Sequence, residues 1–185
     1  MKKIPTLFKR DFEGSNGRYV LPEVTSGCEW VLAGEGVPTR KFDGTCTMFD
    51  GSRWWARREV KMSKGTLPVG FEPISYDETT EKWVGWEPIE QSGFAKFHAE
   101  ALGDSEPGDW QPGTYELIGP KINGDPEGWG SHSLVPHGAV VLVNPDPITF
   151  ETLRDALTGD FRFEGIVWHH PDGSMAKLKK RDFPR

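Results

Sequence analysis

Cysteine is scarce in this sequence: Cys28 and Cys46 are the only two, and neither belongs to a CxxC. That argues against a disulfide framework and against structural zinc, and it fits a reducing compartment. No apolar run is long enough to span a bilayer, and the opening Met-Lys-Lys-Ile-Pro-Thr lacks the apolar core of a signal peptide. A cytoplasmic location without membrane attachment is therefore expected. Positive charge is also in deficit, with 22 Lys and Arg against 28 Asp and Glu and a net charge of −6. Such a balance argues against a general nucleic-acid coat driven by phosphate neutralisation. It leaves room for an enzyme that handles a polynucleotide end, because basic residues gather in two groups: Arg53, Arg57, Arg58 and Lys61, then Lys177, Lys179, Lys180 and Arg181. Taken singly, each group also reads as a solvated strand edge. Internal repeats and interdomain linkers are missing, and Gly34-Glu35-Gly36 lacks the rest of a Rossmann or P-loop fingerprint.

Turn residues and aromatics are plentiful instead: 22 Gly, 15 Pro, 8 Trp and 11 Phe in 185 residues. The length suits one domain over residues 1–185 with a real core, and the aromatics suit half-buried sheets. Residues 45–49 and 53–58 flank Asp50-Gly51, a strong hairpin signal. A Pro/Gly-rich loop is expected from about Lys64 to Pro73, and a helix over 90–102 with Phe94, Phe97 and Ala101 on one face. Residues 113–119 read as a strand, 121–136 as a long loop, and 138–143 as a buried strand. Thr149 caps a short helix with Phe150, Leu153, Ala156 and Leu157 inward, ended by Gly159. A second hairpin joins 166–169 to 175–180 through Pro171-Asp172-Gly173. Alternation along these strands puts Glu164, Ile166 and Trp168 on one face, Lys177 and Lys179 together, and Lys180 opposite.

The chemistry lies in an ordered series: the tetrad Lys41-Phe42-Asp43-Gly44, then Glu116, then Glu164, then Lys177 and Lys179. A Lys-x-Asp-Gly alone is an ordinary turn composition; four elements in this order point to covalent catalysis by a lysine amine on a nucleoside triphosphate. A nucleophilic lysine must be unprotonated, whereas a free one titrates near ~10.4, and cationic neighbours or a metal can lower that value. Two lysines on one strand face would supply such neighbours and hold an α-phosphate. The carboxylates suit Mg²⁺ or Mn²⁺, or a ribose hydroxyl.

Lys41-Phe-Asp-Gly44, Tyr115-Glu-Leu-Ile-Gly119, Glu164-Gly-Ile-Val167 and Met175-Ala-Lys-Leu-Lys-Lys180 resemble motifs I, III, IV and V of the covalent nucleotidyltransferases, which include DNA ligases, RNA ligases and mRNA capping enzymes. Longer strings narrow the resemblance: Pro38-Thr-Arg-Lys-Phe-Asp-Gly-Thr-Cys46, Gly85-Trp-Glu-Pro-Ile-Glu90, Glu116-Leu-Ile-Gly-Pro-Lys-Ile-Asn-Gly-Asp-Pro-Glu-Gly128, Pro136-His-Gly-Ala139 and Glu164-Gly-Ile-Val-Trp-His169. These are similar to a family of compact ATP-dependent 5′–3′ RNA ligases, RNA ligase 1-like, that includes a vertebrate auto-adenylylating member. The likeness covers roughly residues 36 to 182. It implies an α+β nucleotidyltransferase (ATP-grasp-like) domain whose antiparallel sheets form a nucleotide cleft flanked by a few helices.

It also implies roles for particular residues. Lys41 would be the adenylylated nucleophile, and Asp43 would orient it or hold metal-bound water, with Gly44 beside the nucleotide. Arg57 would touch the nucleotide phosphate or the RNA 5′-phosphate, and Glu116 the ribose. Glu164 would support Mg²⁺ or Mn²⁺, and Lys177 and Lys179 would bind the α-phosphate. The implied activity is ATP-dependent joining of RNA 3′-hydroxyl and 5′-phosphate ends in RNA repair, with ATP and RNA as partners and no obligate protein partner. Two alternatives stay open: a nucleotide or RNA binder that forms no adduct, and a nucleotidyltransferase acting on DNA nicks or protein.

The chain departs from the wider pattern in two places. Arg40 stands where many ligases carry Glu, and Val140-Val141-Leu142 occupies the strand expected to supply an adenine-stacking aromatic. The expectation is a nucleotidyltransferase domain without an oligonucleotide-binding domain or motif VI. His169 and His170, as strand neighbours, should point to opposite faces. His132 and His137 bracket the long loop, and His137 could lie near the nucleotide. Trp54 and Trp55 read as one core residue and one exposed strand residue rather than a base-stacking platform.

Overall fold

The computed structural model describes residues 3–61, 66–78, 80–160 and 162–184. Asp50-Gly51 turns the chain as its composition predicts, with Gly51 at φ 99° and the Asp50 carboxylate accepting the backbone N–H of both Ser52 and Arg53. The strands it joins, β4 (Thr45–Phe49) and β5 (Trp54–Lys61), pair antiparallel with Phe49 opposite Trp54. Around them lie β6 (Glu72–Asp77), β7 (Lys82–Pro88), β8 (Gly113–Ile118) and β9 (Ser133–Pro136), giving a six-stranded sheet in the order β6-β7-β5-β4-β8-β9. Phe49, Trp54, Ala56 and Tyr115 share one face and bury against Ile89, while Cys46, Met48, Trp55, Arg57, Trp86, Thr114 and Glu116 lie on the other. All of this falls within one compact unit, Asp43–His137.

The second unit joins Lys3–Phe42 to the chain from Gly138 onward. Its centre is the sheet β3 (Val37–Lys41), β10 (Gly165–His169) and β11 (Met175–Lys179), with β10 in the middle. Both outer edges are covered, which keeps them from pairing with other chains. Thr6 bridges Lys177 on one side and Val141 bridges Thr39 on the other. β1 (Phe8–Arg10) and β2 (Val20–Val24) form a separate ribbon, and α1 (Glu29–Leu32) and α3 (Phe150–Thr158) pack with them. Leu7, Phe8, Val31, Leu153, Leu157, Ile166, Trp168 and Leu178 make the core; each fully buried Leu or Phe contributes about 1.5–3 kcal/mol before entropy is counted. Trp168 is wholly buried, and its indole N–H donates to Asn144 Oδ1 at 2.8 Å.

The fold is thus mixed α and β, with few helices and every pairing between named strands antiparallel. Both sequence-expected hairpins and the Thr149-capped helix form; the hydroxyl of Thr149 accepts the Thr152 N–H. Five expectations change. The helix over 90–102 is a 3-10 turn at Ile89–Gln91 followed by α2 (Ala95–Leu102), because Ser92 is extended and its hydroxyl caps the Phe94 N–H. The residue α2 buries is His98, edge-on to Trp54 at 4.7 Å, where burial pushes its pKa down to about 4 so that it packs neutral. The 121–136 loop ends early, since β9 pairs with β8 over Ser133–Pro136.

Residues 138–143 form no buried strand: only single backbone bonds at Arg40/Val140 and Leu142/Pro38 tie them to β3, and Val141 and Val143 are 63% and 93% exposed. Ala156 is exposed, leaving Leu153 and Leu157 buried and Phe150 packed against the core beside Phe8 and Phe183. Trp54 and Trp55, expected as one core and one exposed residue, are both buried; Asp50 accepts the Trp55 indole N–H and the Arg53 guanidinium lies over its ring. Of the expected Pro/Gly-rich loop, Lys64 and Gly65 lie outside the described residues.

Gly165 tests this packing. A Cβ there would sit 2.2 Å from the Leu178 carbonyl oxygen, whereas one at Gly93 meets nothing within 4 Å. Gly165→Ala should lower unfolding free energy in urea by ~2–4 kcal/mol and Gly93→Ala should change it by less than ~0.5 kcal/mol. Equal effects would show that β10 and β11 do not approach this closely.

Candidate functional site

The register of the three-stranded sheet builds the first cluster. Gly165 stands opposite Lys41 on one side and opposite Lys179 on the other, so the three form one row across β3, β10 and β11. The next row on that face is Thr39, Val167 and Lys177, while Arg40, Ile166 and Leu178 face the core. The two lysine backbones are two strand spacings apart, roughly 10 Å, and the residue between them has no side chain. Glu164 fills the gap. It accepts from Lys41 Nζ at 2.5 Å through Oε2 and from Lys179 Nζ at 2.5 Å through Oε1. All three side chains are largely buried, at 20%, 13% and 10% exposure for Lys41, Lys179 and Glu164.

Burial pushes the Glu164 carboxyl up, but Lys41 and Lys179 together outweigh it and hold the group below its ordinary value. For Lys179 burial and the Lys41 charge both act downward; Glu164 opposes them without prevailing. Two ammonium groups against one carboxylate leave surplus positive charge, a setting for an anion. Glu164 reaches this face although strict alternation would place it with Ile166 and Trp168. The alternation fails because Glu164 precedes β10 and is not part of it. Lys180 is likewise outside β11, exposed at the start of a 3-10 turn, so its separation from Lys177 comes from the strand's end and not from its pleat. Arg40 is stacked between Phe42 and Phe163, its guanidinium 4.2 and 3.9 Å from the two ring centres, which secures the chain just around Lys41.

The second cluster lies in the other unit and gathers on Asp43 and Gly44. The Gly44 N–H donates to Glu116 Oε1 at 3.1 Å and the Asp43 N–H to Glu127 Oε1 at 2.7 Å. The Asn123 amide donates to Asp43 Oδ1 at 3.0 Å and to the Gly44 carbonyl at 2.9 Å. Gly44 has no room for a side chain: a Cβ would lie 2.2 Å from the Leu117 carbonyl oxygen. Glu116, 7% exposed, meets His137 Nε2 at 2.8 Å through its other oxygen. Arg57 lies on the same sheet face as Glu116, with an Nε that is buried and has no hydrogen-bond partner among the described residues.

Of the residues expected from sequence, Lys41, Glu164 and Lys179 therefore meet, with Lys177 on their face; Asp43, Gly44 and Glu116 meet separately, with Arg57 on the Glu116 face. Asn123, Glu127 and Thr114 had not been singled out. The Asn123-Gly124 pair carried a signal, since both residues take positive φ, 50° and 81°. His169 accepts from or donates to Thr39, and His170 meets Glu35 and Asp172 at the hairpin turn. Among the described residues no cluster of three His, Cys, Asp or Glu could hold a metal, and no helix is long and apolar enough to cross a membrane.

The RNA ligase 1 family model matches residues 107–183, which include Glu116, His137, Glu164, Lys177 and Lys179. RNA ligase 1 of Danio rerio is 37% identical over 133 residues, covering 63% of this chain and 40% of that protein. Over these residues the chain is similar to RNA ligase 1. RNA ligase 1 of Pongo abelii is 39% identical over 74 residues, and that of Mus musculus 41% over 76, each match covering 36% of this chain and 23% of the relative. The chain thus matches less than half the length of these curated relatives, and the family-model match leaves out Lys41, Asp43, Gly44 and Arg57.

The lysine–glutamate–lysine row sets an acid limb of stability. The Glu164 carboxyl is depressed in the folded protein from an ordinary 4.5, so its stabilisation is fully present above that value and is lost as pH falls through the lower folded one. Unfolding monitored from pH 6 downward should show wild type losing more stability than Glu164→Gln. Parallel curves would exclude the ion pairs as drawn.

Proposed function

We propose that this chain is the adenylation domain of an ATP-dependent RNA ligase that joins RNA 3′-hydroxyl and 5′-phosphate ends through a lysyl-AMP intermediate, in RNA repair. The observation that carries the reading is the Lys41–Gly165–Lys179 row with Glu164 between the ammonium groups, in a chain whose relatives are named RNA ligase 1. An amine at the end of a strand, beside a second buried lysine, suits attack on a phosphate whose developing charge needs fixed cations.

In step one the neutral Lys41 amine attacks the α-phosphorus of ATP. The P–N bond forms, the P–O bond to pyrophosphate breaks, and the amine loses its proton to solvent. In step two an RNA 5′-phosphate oxygen attacks the same phosphorus, forming a 5′–5′ anhydride and returning Lys41. In step three a 3′-hydroxyl attacks the RNA phosphate; a phosphodiester forms and AMP leaves with the electron pair. Lys179 and Lys177 hold the α-phosphate oxygens. Arg57, with its unpartnered buried Nε, takes a phosphate, Glu116 the ribose, and Asp43 orients the tetrad. Mg²⁺ or Mn²⁺ commonly binds through one or two carboxylates plus substrate phosphates; Glu164 fits as that carboxylate, and the ion would add Lewis-acid stabilisation of phosphate charge.

The test is end joining with ATP. Wild type should seal 5′-phosphate RNA, and Lys41→Ala should not, while still sealing RNA supplied with a 5′-adenylate. Failure of wild type on both substrates would refute ligation. In single-turnover adenylylation, Lys177→Ala should lose on the order of 100-fold, the scale of removing one transition-state contact, and the exposed Lys180→Ala little. Equal losses would mean that β11 supplies only diffuse positive potential.

A further inference from the structure

His137 directly follows β9, the edge strand of the six-stranded sheet, and is tied down at three atoms. Its backbone N–H donates to the Thr114 carbonyl at 3.0 Å, Nδ1 meets Thr114 Oγ1 at 2.8 Å, and Nε2 meets Glu116 Oε2 at 2.8 Å. An ionised carboxylate can only accept, so Nε2 must carry a hydrogen and donate to Glu116. Nδ1 is held by the Thr114 hydroxyl, so both ring nitrogens are engaged and the ring's orientation is fixed. Glu116 is in turn bonded through Oε1 to the Gly44 N–H. A carboxylate with four acceptor sites therefore has about two of them committed, and its remaining lone pairs point in fixed directions from a 7% exposed residue.

We propose that His137, itself oriented by Thr114, is a positioning residue that fixes Glu116 to accept a sugar hydroxyl, so that the site selects ribonucleoside over deoxyribonucleoside triphosphates. The assignment rests on the nucleotide reading above and gives that site its sugar specificity. Thr114, Glu116 and His137 act as a chain: the threonine orients the histidine ring, the histidine sets the glutamate rotamer, and the glutamate meets the substrate. A buried acceptor facing a sugar that lacks its hydroxyl is left without a partner, which makes discrimination by hydrogen bonding steep. Removing the buttress lets Glu116 rotate and blunts that discrimination without touching the nucleophile.

The experiment is single-turnover adduct formation by the full chain against concentration of ATP, 2′-deoxy-ATP and 3′-deoxy-ATP. Wild type should need about tenfold more 2′-deoxy-ATP than ATP for half-maximal rate, the size of a lost hydrogen bond to a charged group. In His137→Ala the ATP requirement should rise toward that of the analogue while the maximal rate holds. His137→Gln, which can place a donor near the Nε2 position, should restore the preference, and Thr114→Val should weaken it partly. If His137→Ala proves poorly folded, the Gln and Val variants still decide. Full wild-type discrimination in Thr114→Val and His137→Ala, or equal losses on all three nucleotides, would overturn the positioning role alone. A wild type that forms an adduct without preferring ATP would also overturn it. No adduct with any nucleotide would overturn the nucleotide reading itself.

Discussion

Glu164 accepts hydrogen bonds from two lysines that flank a single glycine, and the geometry of the candidate site follows from that bridge. A side chain at position 165 would clash with the β11 backbone, so the middle of the row stays empty. Lys41 and Lys179, on strands that do not touch each other, come to share one carboxylate. Burying three charges is expensive unless each is paired. Here the pairing is asymmetric, with one anion for two cations. The two ammonium groups depress Glu164 against its burial, and burial together with the Lys41 charge depresses Lys179; it is the kind of environment in which functional groups are found.

The tetrad is held by two different kinds of support. Its Lys41-Phe42 half ends a strand and lies against Arg40, whose guanidinium is clasped by Phe42 and Phe163. Its Asp43-Gly44 half has no strand partner of its own at that point and is gripped by side chains: Glu116, Glu127 and Asn123. The presence of Arg40 beside the tetrad thus has a local explanation. On the core face of β3 a cation survives because two aromatic faces receive it.

Much of this was legible in the sequence because it depends on local rules. Asp50-Gly51, Pro171-Asp172-Gly173 and the Thr149 cap are short-range signals, and each forms. The shared face of Lys177 and Lys179 follows from a strand period of two. What was not legible depends on pairings far apart in the chain. Residues 138–143 look like a core strand, yet they run along the outside of β3, where only one side is protected. Ser133–Pro136 looks like loop, yet β8 offers it an edge. Glu164 escapes alternation because the strand starts one residue later, and Asn123 becomes important only when the loop after β8 folds back on Asp43. His137 was noticed, but its bond to Glu116 spans 21 residues and has no periodic signature.

The central claim is that the amine at the end of β3, and not one of its lysine neighbours on the same face, forms the covalent bond to the nucleotide. The most direct measurement is peptide mapping by tandem mass spectrometry of the adduct formed with ATP and Mg²⁺. The account predicts a single AMP on Lys41. An AMP on Lys179 or Lys177 instead, with Lys41 unmodified, would contradict it.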